Sequence, residues 1–323
     1  MSGRWKTWVG VAVSLALLWV AARGVDPTEL MSAFRHLRPV WLIPTFALLF
    51  VRFWFTAVRW QVLLRPIKTI SVHRLFGVTM IGFMANNVLP ARMGEFVRAY
   101  ALAKSETLST SLAFATIVLE RVFDGFTLLA FLVAGLLFLR PERWLVWSAV
   151  ASFCLYVAVL GGLLWLRHGR GFGWVVARLP LSVRDRAARL LDSFTLGLDV
   201  LGDGRALAVI AGLSLFIWAI SAVTAWTMFA AFSLDLPAHA AVLLLAIVAV
   251  AVALPSAPGY VGTFQAGTVA ALGLFAVPES TAFSFSVLSH VLHYVPITVT
   301  GLVYLSLMNL TLSELRTAGA KGR

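Results

Sequence analysis

Charge is what this chain has least of. Only 12% of its 323 residues are Asp, Glu, Lys or Arg, against roughly 25% in soluble domains. With 60% hydrophobic residues and a mean hydropathy of +0.91, the composition excludes a soluble globular domain and indicates a polytopic membrane protein. A single cysteine, Cys154, excludes an intramolecular disulfide. The sequence has no His/Cys/Asp spacing suited to a metal, no phosphate-binding Gly-Lys-Ser/Thr loop and no Gly-x-Ser-x-Gly elbow; no metal or cofactor is expected, nor an enzyme. The net charge of +12 sits in short loops between apolar runs, so nucleic acid is not an expected partner. Arg4 and Lys6 precede the apolar run Val9–Val20 without a small-residue cleavage site after it, and Trp19 and Arg23 fit a retained anchor. No Gly/Ser-rich linker divides the chain, which reads as one membrane domain over 1–323. The tail after Leu312 is too short for a soluble domain.

What is present is a series of apolar runs near membrane length. Six full crossings are predicted, at about 6–22, 40–59, 109–139, 144–166, 206–232 and 281–308. Trp41 and Trp60 bracket the second and Trp144 and Trp165 the fourth, as an interfacial aromatic belt would. Lys/Arg bias orients the set. With both termini in the cytoplasm, most of the 26 basic residues fall inside, including Arg59, Arg65, Lys68 and Arg74. A basic loop over 167–205 carries Arg184-Asp185-Arg186-Ala187-Ala188-Arg189, which reads as an amphipathic surface helix. A bacterial inner membrane is the expected location.

Two further apolar regions, 75–103 and 240–277, are interrupted by one pattern. Leu89-Pro90-Ala91-Arg92-Met93-Gly94 and Leu254-Pro255-Ser256-Ala257-Pro258-Gly259 both read Leu-Pro-x-x-x-Gly. Proline removes a backbone donor and clashes with the preceding turn, and glycine lets the chain turn and restart. In hydrocarbon such a break survives only when buried in protein or lining a cavity. The charge-based topology makes the first region a re-entrant hairpin of two half-helices. The second is a hairpin from the opposite face, or else two short spans. Two such hairpins are what an inverted repeat gives, and paired breaks point to a transporter's binding site. The expected fold is therefore all-α, with about six transmembrane helices plus two re-entrant broken-helix hairpins.

Ionisable residues at bilayer depth are functional candidates. Glu120 and Asp124 are four apart and share a helix face, with Arg121 beside them. The first break carries Asn86, Asn87, Arg92, Glu95 and Arg98. A helix restarting there would expose N–H groups that favour an anion, and Arg92 and Arg98 would add guanidinium forks suited to phosphate. The second break supplies Ser256, Gly259 and Gln265, and the last span adds His290 and His293, expected to line the same cavity or to relay a proton. Arg52 is expected to pair with Glu120, Asp124 or Glu95. The same buried charges would also serve as a staple between helices.

Taken in order, Arg59-Trp60, Asn86-Asn87-x-Leu89-Pro90-x-Arg92-x-Gly94-Glu95, Arg98, Glu120-Arg121-x-x-Asp124, and Pro255-x-x-Pro258-Gly259 with Gly262 and Gln265 resemble the flippase-like membrane region of lysylphosphatidylglycerol synthases. The resemblance implies translocation of a phospholipid or lipid-linked glycan, with the broken helices around the transit path. Full-length synthases carry an aminoacyl-transfer domain after this region. None follows here, so lipid aminoacylation is not expected. Two other readings remain at this point: an integral membrane transferase using a polyprenyl or phospholipid donor with Glu120 or Asp124 as base, and a scaffold for envelope enzymes.

Overall fold

The computed structural model describes residues 4–89, 93–137, 143–167, 178, 180–254 and 256–315. Among them all regular structure is helical. Apolar side chains recur without strand-like alternation, and a helix satisfies every backbone group within one segment, as hydrocarbon requires. Six long helices occupy the six intervals expected as crossings: α1 (Arg4–Ala22), α3 (Leu42–Leu64), α6 (Thr110–Leu136), α7 (Arg143–Arg167), α9 (Gly204–Ala231) and α12 (Glu279–Leu307). Of these, α3, α7, α9 and α12 are both long and apolar enough to cross a membrane. The 27-residue α6 matches them in length but carries Glu120, Arg121 and Asp124. The short α2 (Pro27–Arg35) is capped by Asp26, whose carboxylate accepts from the Thr28 amide at 2.7 Å. The amphipathic segment of the basic loop forms α8 (Leu181–Leu196). Its Leu190 carbonyl accepts from Ser111 at the start of α6.

Each interrupted region folds as a helical pair. The first comprises α4 (Val72–Val88) and α5 (Gly94–Glu106), the second α10 (Ala238–Ala253) and α11 (Thr263–Gly273). Both are antiparallel. Gly82 of α4 lies against Gly94 and Arg98 of α5, and Gly267 of α11 lies against Val248 and Ala251 of α10. At ~1.5 Å per residue, the 11 residues of α11 reach about half the ~30 Å hydrocarbon thickness. The 13 residues of α5 reach about two-thirds. Leu89 and Leu254, the residues before the two prolines, both take extended backbone (ψ 145° and 146°), as a following proline dictates.

Contacts sort the connections into two ends. At one end, Lys68 and Arg74 pair with Glu106 and Lys104 pairs with Glu314. At the other, the Asp26 amide donates to Ser280 and the Arg38 amide to the Ala231 carbonyl. The first end is the basic one. There Glu106 accepts Lys68 Nζ at 2.8 Å and a hydrogen bond from Arg74. Burial pushes this carboxyl up, but the hydrogen bonds and charges of Arg74 and Lys68 outweigh that and hold it below its ordinary value. Because the folded value is depressed, the stabilisation is present above the unfolded value of about 4.3 and is lost as pH falls through the folded value. Both cations are about half-exposed, so the contribution is small, on the order of 1 kcal/mol. Melting temperatures in detergent between pH 6 and pH 3 are expected to fall less steeply for Glu106→Gln than for the parent.

The helical model corrects one expectation about the aromatic belt. The second crossing was expected to end near residue 59, with Arg59 in a loop and Trp60 at the interface. The apolar Val62-Leu63-Leu64 segment carries α3 on to Leu64, which draws Arg59 and Trp60 into the interior at 1% and 0% exposure. Trp165, by contrast, is exposed.

Candidate functional site

The interior charges come from three helices. Glu120 and Asp124, one turn apart on α6, face α3 and α5. Arg59 of α3 donates to Asp124 through Nη1 (2.6 Å to Oδ1) and Nη2 (3.2 Å to Oδ2), and to Ser214 Oγ at 2.7 Å. Its Nη2 also lies 3.5 Å from Glu120 Oε1. Arg98 of α5 forks onto Glu120 at 2.7 and 3.1 Å, with its guanidinium 3.8 Å from the Trp60 ring centroid. Arg121 adds 2.7 Å to Glu120 and 3.6 Å to Asp124, and Trp218 Nε1 donates to Asp124 at 2.9 Å. Glu120 is fully buried. Carboxylates survive there only because guanidinium forks replace the lost water.

This network changes the part expected of Arg98. It is engaged by Glu120 and Trp60 rather than open to an anion. The new helix end is likewise capped, since the Gly94 amide donates to Asn86 Oδ1 at 2.7 Å. Glu95 borders a shallow space of about 10 Å³ with Gly82, Phe83, Asn86, Gly94, Arg98 and Arg121, barely room for one water. Arg92 lies outside the described residues.

The two breaks meet. Asn87 Nδ2 donates to Thr298 Oγ1 (2.9 Å) and the Tyr294 carbonyl (3.3 Å), and Tyr294 OH donates to the Asn87 carbonyl (3.3 Å). A Cβ on Gly259 would lie 3.5 Å from that same Asn87 carbonyl and 2.6 Å from the Tyr294 ring. Gly259 has φ 74°, a conformation that favours glycine. His290 latches the second break, with Nε2–H donating to the Gly259 carbonyl at 2.7 Å and Nδ1 accepting from Gln265 Nε2 at 2.9 Å. Gln265 Oε1 in turn accepts the Gly262 amide at 2.7 Å. Both ring nitrogens of His290 are thus engaged in holding the turn. Ser256 lies beside this turn, and its hydroxyl finds no partner among the described residues.

The contact between the breaks is filled, and the open space lies next to it. A cavity of about 180 Å³ is bounded by α3, α9, α10, α11 and α12, with Arg52, Trp218, Thr268, Ser289 and His293 among its walls. None of the described residues of 86–98 lines it. The chamber expected between the two breaks is therefore displaced toward the second, because Asn86, Arg98 and Glu120 close the first. Arg52 departs from its expected pairing too. Its side chain makes no hydrogen bond or ion pair among the described residues, and its buried Nε has no partner among them. The guanidinium instead sits 5.1 Å from the Phe53 and 5.4 Å from the Trp218 ring centroids. Thr268 Oγ1 and Ser289 Oγ, also in the cavity wall, likewise have no partner among the described residues. His293 Nδ1–H donates to the Ser289 carbonyl at 2.8 Å, which leaves Nε2 as an acceptor. Among the described residues no group of three His, Cys, Asp or Glu is placed to hold a metal.

The family model for the lysylphosphatidylglycerol synthase transmembrane region matches residues 7–301. The chain belongs to that family. Among the relatives of this transmembrane-region member is a UPF0104 membrane protein of Methanothermobacter thermautotrophicus, 22% identical over 95% of both chains. Another is the glycosyltransferase AglD of Haloferax volcanii, 25% identical over 94% of this chain but only 54% of its own. A third, UPF0104 membrane protein MJ1595 of Methanocaldococcus jannaschii, is 24% identical over about half of each chain. No solved structure matches. Membership carries a multi-pass membrane protein with a lipid-related role.

Several site residues escape a reading of the sequence. Arg59 is hidden among loop charges, although its spacing of seven from Arg52 puts both on one face of a helix. Ser214, Trp218 and Ser221 form a polar stripe at i, i+4, i+7 on α9. Thr268 and Ser289 carry no pattern at all.

Proposed function

We propose that the protein translocates the headgroup of a phospholipid or lipid-linked glycan across a bacterial inner membrane, with the Arg52 cavity as the seat and both termini cytoplasmic. The observation that carries this reading is the Arg52 guanidinium, without an ion pair or hydrogen bond among the described residues, in a cavity where Thr268 Oγ1 and Ser289 Oγ also lack partners among them. An unpaired charge at membrane depth is expensive, and chains keep such residues for substrate pathways. The neighbouring second break supplies a short helical pair latched by a few hydrogen bonds, and paired broken helices are the arrangement expected around a transport site. The transferase reading needs a free carboxylate as base. Glu120 and Asp124 are each held by at least two arginines, which supports transport over transfer.

The test is a proteoliposome assay that follows loss of a fluorescent lipid from one leaflet. The parent protein is expected to accelerate exchange. Arg52→Gln, still folded, is expected to lower the initial rate about tenfold, the equivalent of one charge-assisted hydrogen bond. No acceleration with any phospholipid or lipid-linked sugar, by protein that melts cooperatively, would remove the proposal.

A further inference from the structure

We infer that Trp218 is a positioning residue: its indole stands between Arg52 and Asp124, keeps the guanidinium out of the buried ion network and leaves it at the cavity wall. This deepens the translocator reading, whose seat is Arg52, and its role in transport rests on that reading. Tryptophan in a membrane span belongs near an interface, where its N–H meets water. Trp218 lies instead in the middle of the 28-residue α9, so its N–H needs a partner inside the protein. It donates to Asp124 Oδ1 at 2.9 Å. The face of the same ring carries Arg52, with Cζ 5.4 Å from the centroid. One side chain thus touches both the carboxylate and the cation, while Asp124 pairs with Arg59 and Arg121 instead.

Among the described residues the cavity wall holds no Asp or Glu. The carboxylate open to Arg52 is the one on the far side of the indole, and Asp124 is engaged on both oxygens. Its Oδ1 accepts from Arg59 Nη1 at 2.6 Å and from the indole. Its Oδ2 accepts from Arg59 Nη2 at 3.2 Å, with Arg121 3.6 Å away. Removing the indole frees a lone pair on Oδ1 and clears the space through which Arg52 would turn. A second indole shows the opposite arrangement. Trp60 also lies under a guanidinium, its ring centroid 3.8 Å from Arg98 Cζ. Its Nε1 donates to the Thr116 hydroxyl at 2.9 Å, which leaves Glu120 free to take both terminal nitrogens of Arg98. Trp60 therefore backs an ion pair, whereas Trp218 occupies the carboxylate itself and blocks one. Arg52 and Arg59, seven apart on α3, divide accordingly between the cavity and the network.

The experiment looks for a reversal of sign. In the parent, Arg52→Met is expected to leave the melting temperature in detergent unchanged or higher. In the Trp218→Leu background Arg52 is free to reach Asp124. There the same Arg52→Met substitution removes an ion pair and is expected to lower the melting temperature by several degrees. Trp218→Phe keeps a ring between the two groups and is expected to respond as the parent does. Each comparison is made within one background, so the packing lost with the indole cancels. Trp218→Met, longer and equally without a ring, is carried in parallel in case Trp218→Leu yields little folded protein. A Trp218 that only fills space would leave the response to Arg52→Met the same in every background, and that result overturns the inference. In proteoliposomes, Trp218→Leu is expected to lower lipid exchange about tenfold, as Arg52→Gln does, and the double variant no further. A second tenfold loss in the double variant would mean that Trp218 does not act through Arg52, and overturns its positioning role. No exchange by the parent, with the reversal of sign still present, removes the translocator reading and leaves Trp218 as the spacer.

Discussion

Glu120→Ala is expected to cost about 3–5 kcal/mol, the range for deleting one partner of a buried ion pair, and to leave little folded protein in detergent. Glu120 is fully buried and accepts two hydrogen bonds from Arg98 and one from Arg121, with Arg59 3.5 Å away. Truncating it leaves the buried Arg98 guanidinium without a carboxylate and takes one of two carboxylates from Arg59 and Arg121. Asp124 cannot take all of them, because it already holds Arg59 and Trp218. Glu120→Gln keeps acceptor geometry through one oxygen and is expected to fall between the parent and the alanine variant. Arg52→Met has the opposite sign. It removes an unpaired charge and fills the space with an apolar chain of similar length, so the melting temperature is expected to hold or rise while transport falls. Denaturation in detergent read by circular dichroism checks the pair. Parent-like stability of Glu120→Ala would mean that the carboxylate is wet or unpaired, and the network as described would not exist.

That opposition also separates what the sequence could reveal from what it could not. The long helices were legible because apolar runs of membrane length have one solution in hydrocarbon. The two breaks were legible because Leu-Pro-x-x-x-Gly cannot continue a helix. Glu120 and Asp124 were legible as neighbours, since spacing says which residues share a face. Spacing says nothing of what that face meets. Arg98 has the chemistry of a phosphate ligand, and only the packing of α5 on α6 turns it to Glu120. Arg59 follows the same logic from the other side: a charge near the end of an apolar run looks like a loop charge until Val62-Leu63-Leu64 extend the helix past it. The cavity depends on five helices at once, so no local pattern announces it. The two breaks share a motif but not a filling, the first closed by Arg98, Glu120 and Asn86, the second latched by His290 and Gln265.

Gly94→Ala is expected to cost about 3 kcal/mol, the upper end for overpacking. A Cβ there would stand 2.2 Å from the Gly82 carbonyl oxygen and 2.4 Å from Asn86 Cγ. A backbone carbonyl inside α4 cannot turn aside, so α4 and α5 must part by roughly 1 Å to restore ordinary contact. Arg98 lies one turn along α5 and would move with it, away from Glu120 and Trp60. Gly212→Ala is the control, since a Cβ at that position in α9 meets nothing within 4 Å; its stability is expected to be unchanged or slightly raised by helix propensity. Equal stability of the two variants would show that α4 and α5 are not in the close contact described. The damage at Gly94 should also be coupled to the ion pair. Once Glu120 is gone, Arg98 has no carboxylate to be pulled from, so Gly94→Ala combined with Glu120→Ala is expected to lose less than the sum of the two, by on the order of 1 kcal/mol. Strict additivity would mean that the glycine contact and the charge network are independent, and that the first break does not position Arg98.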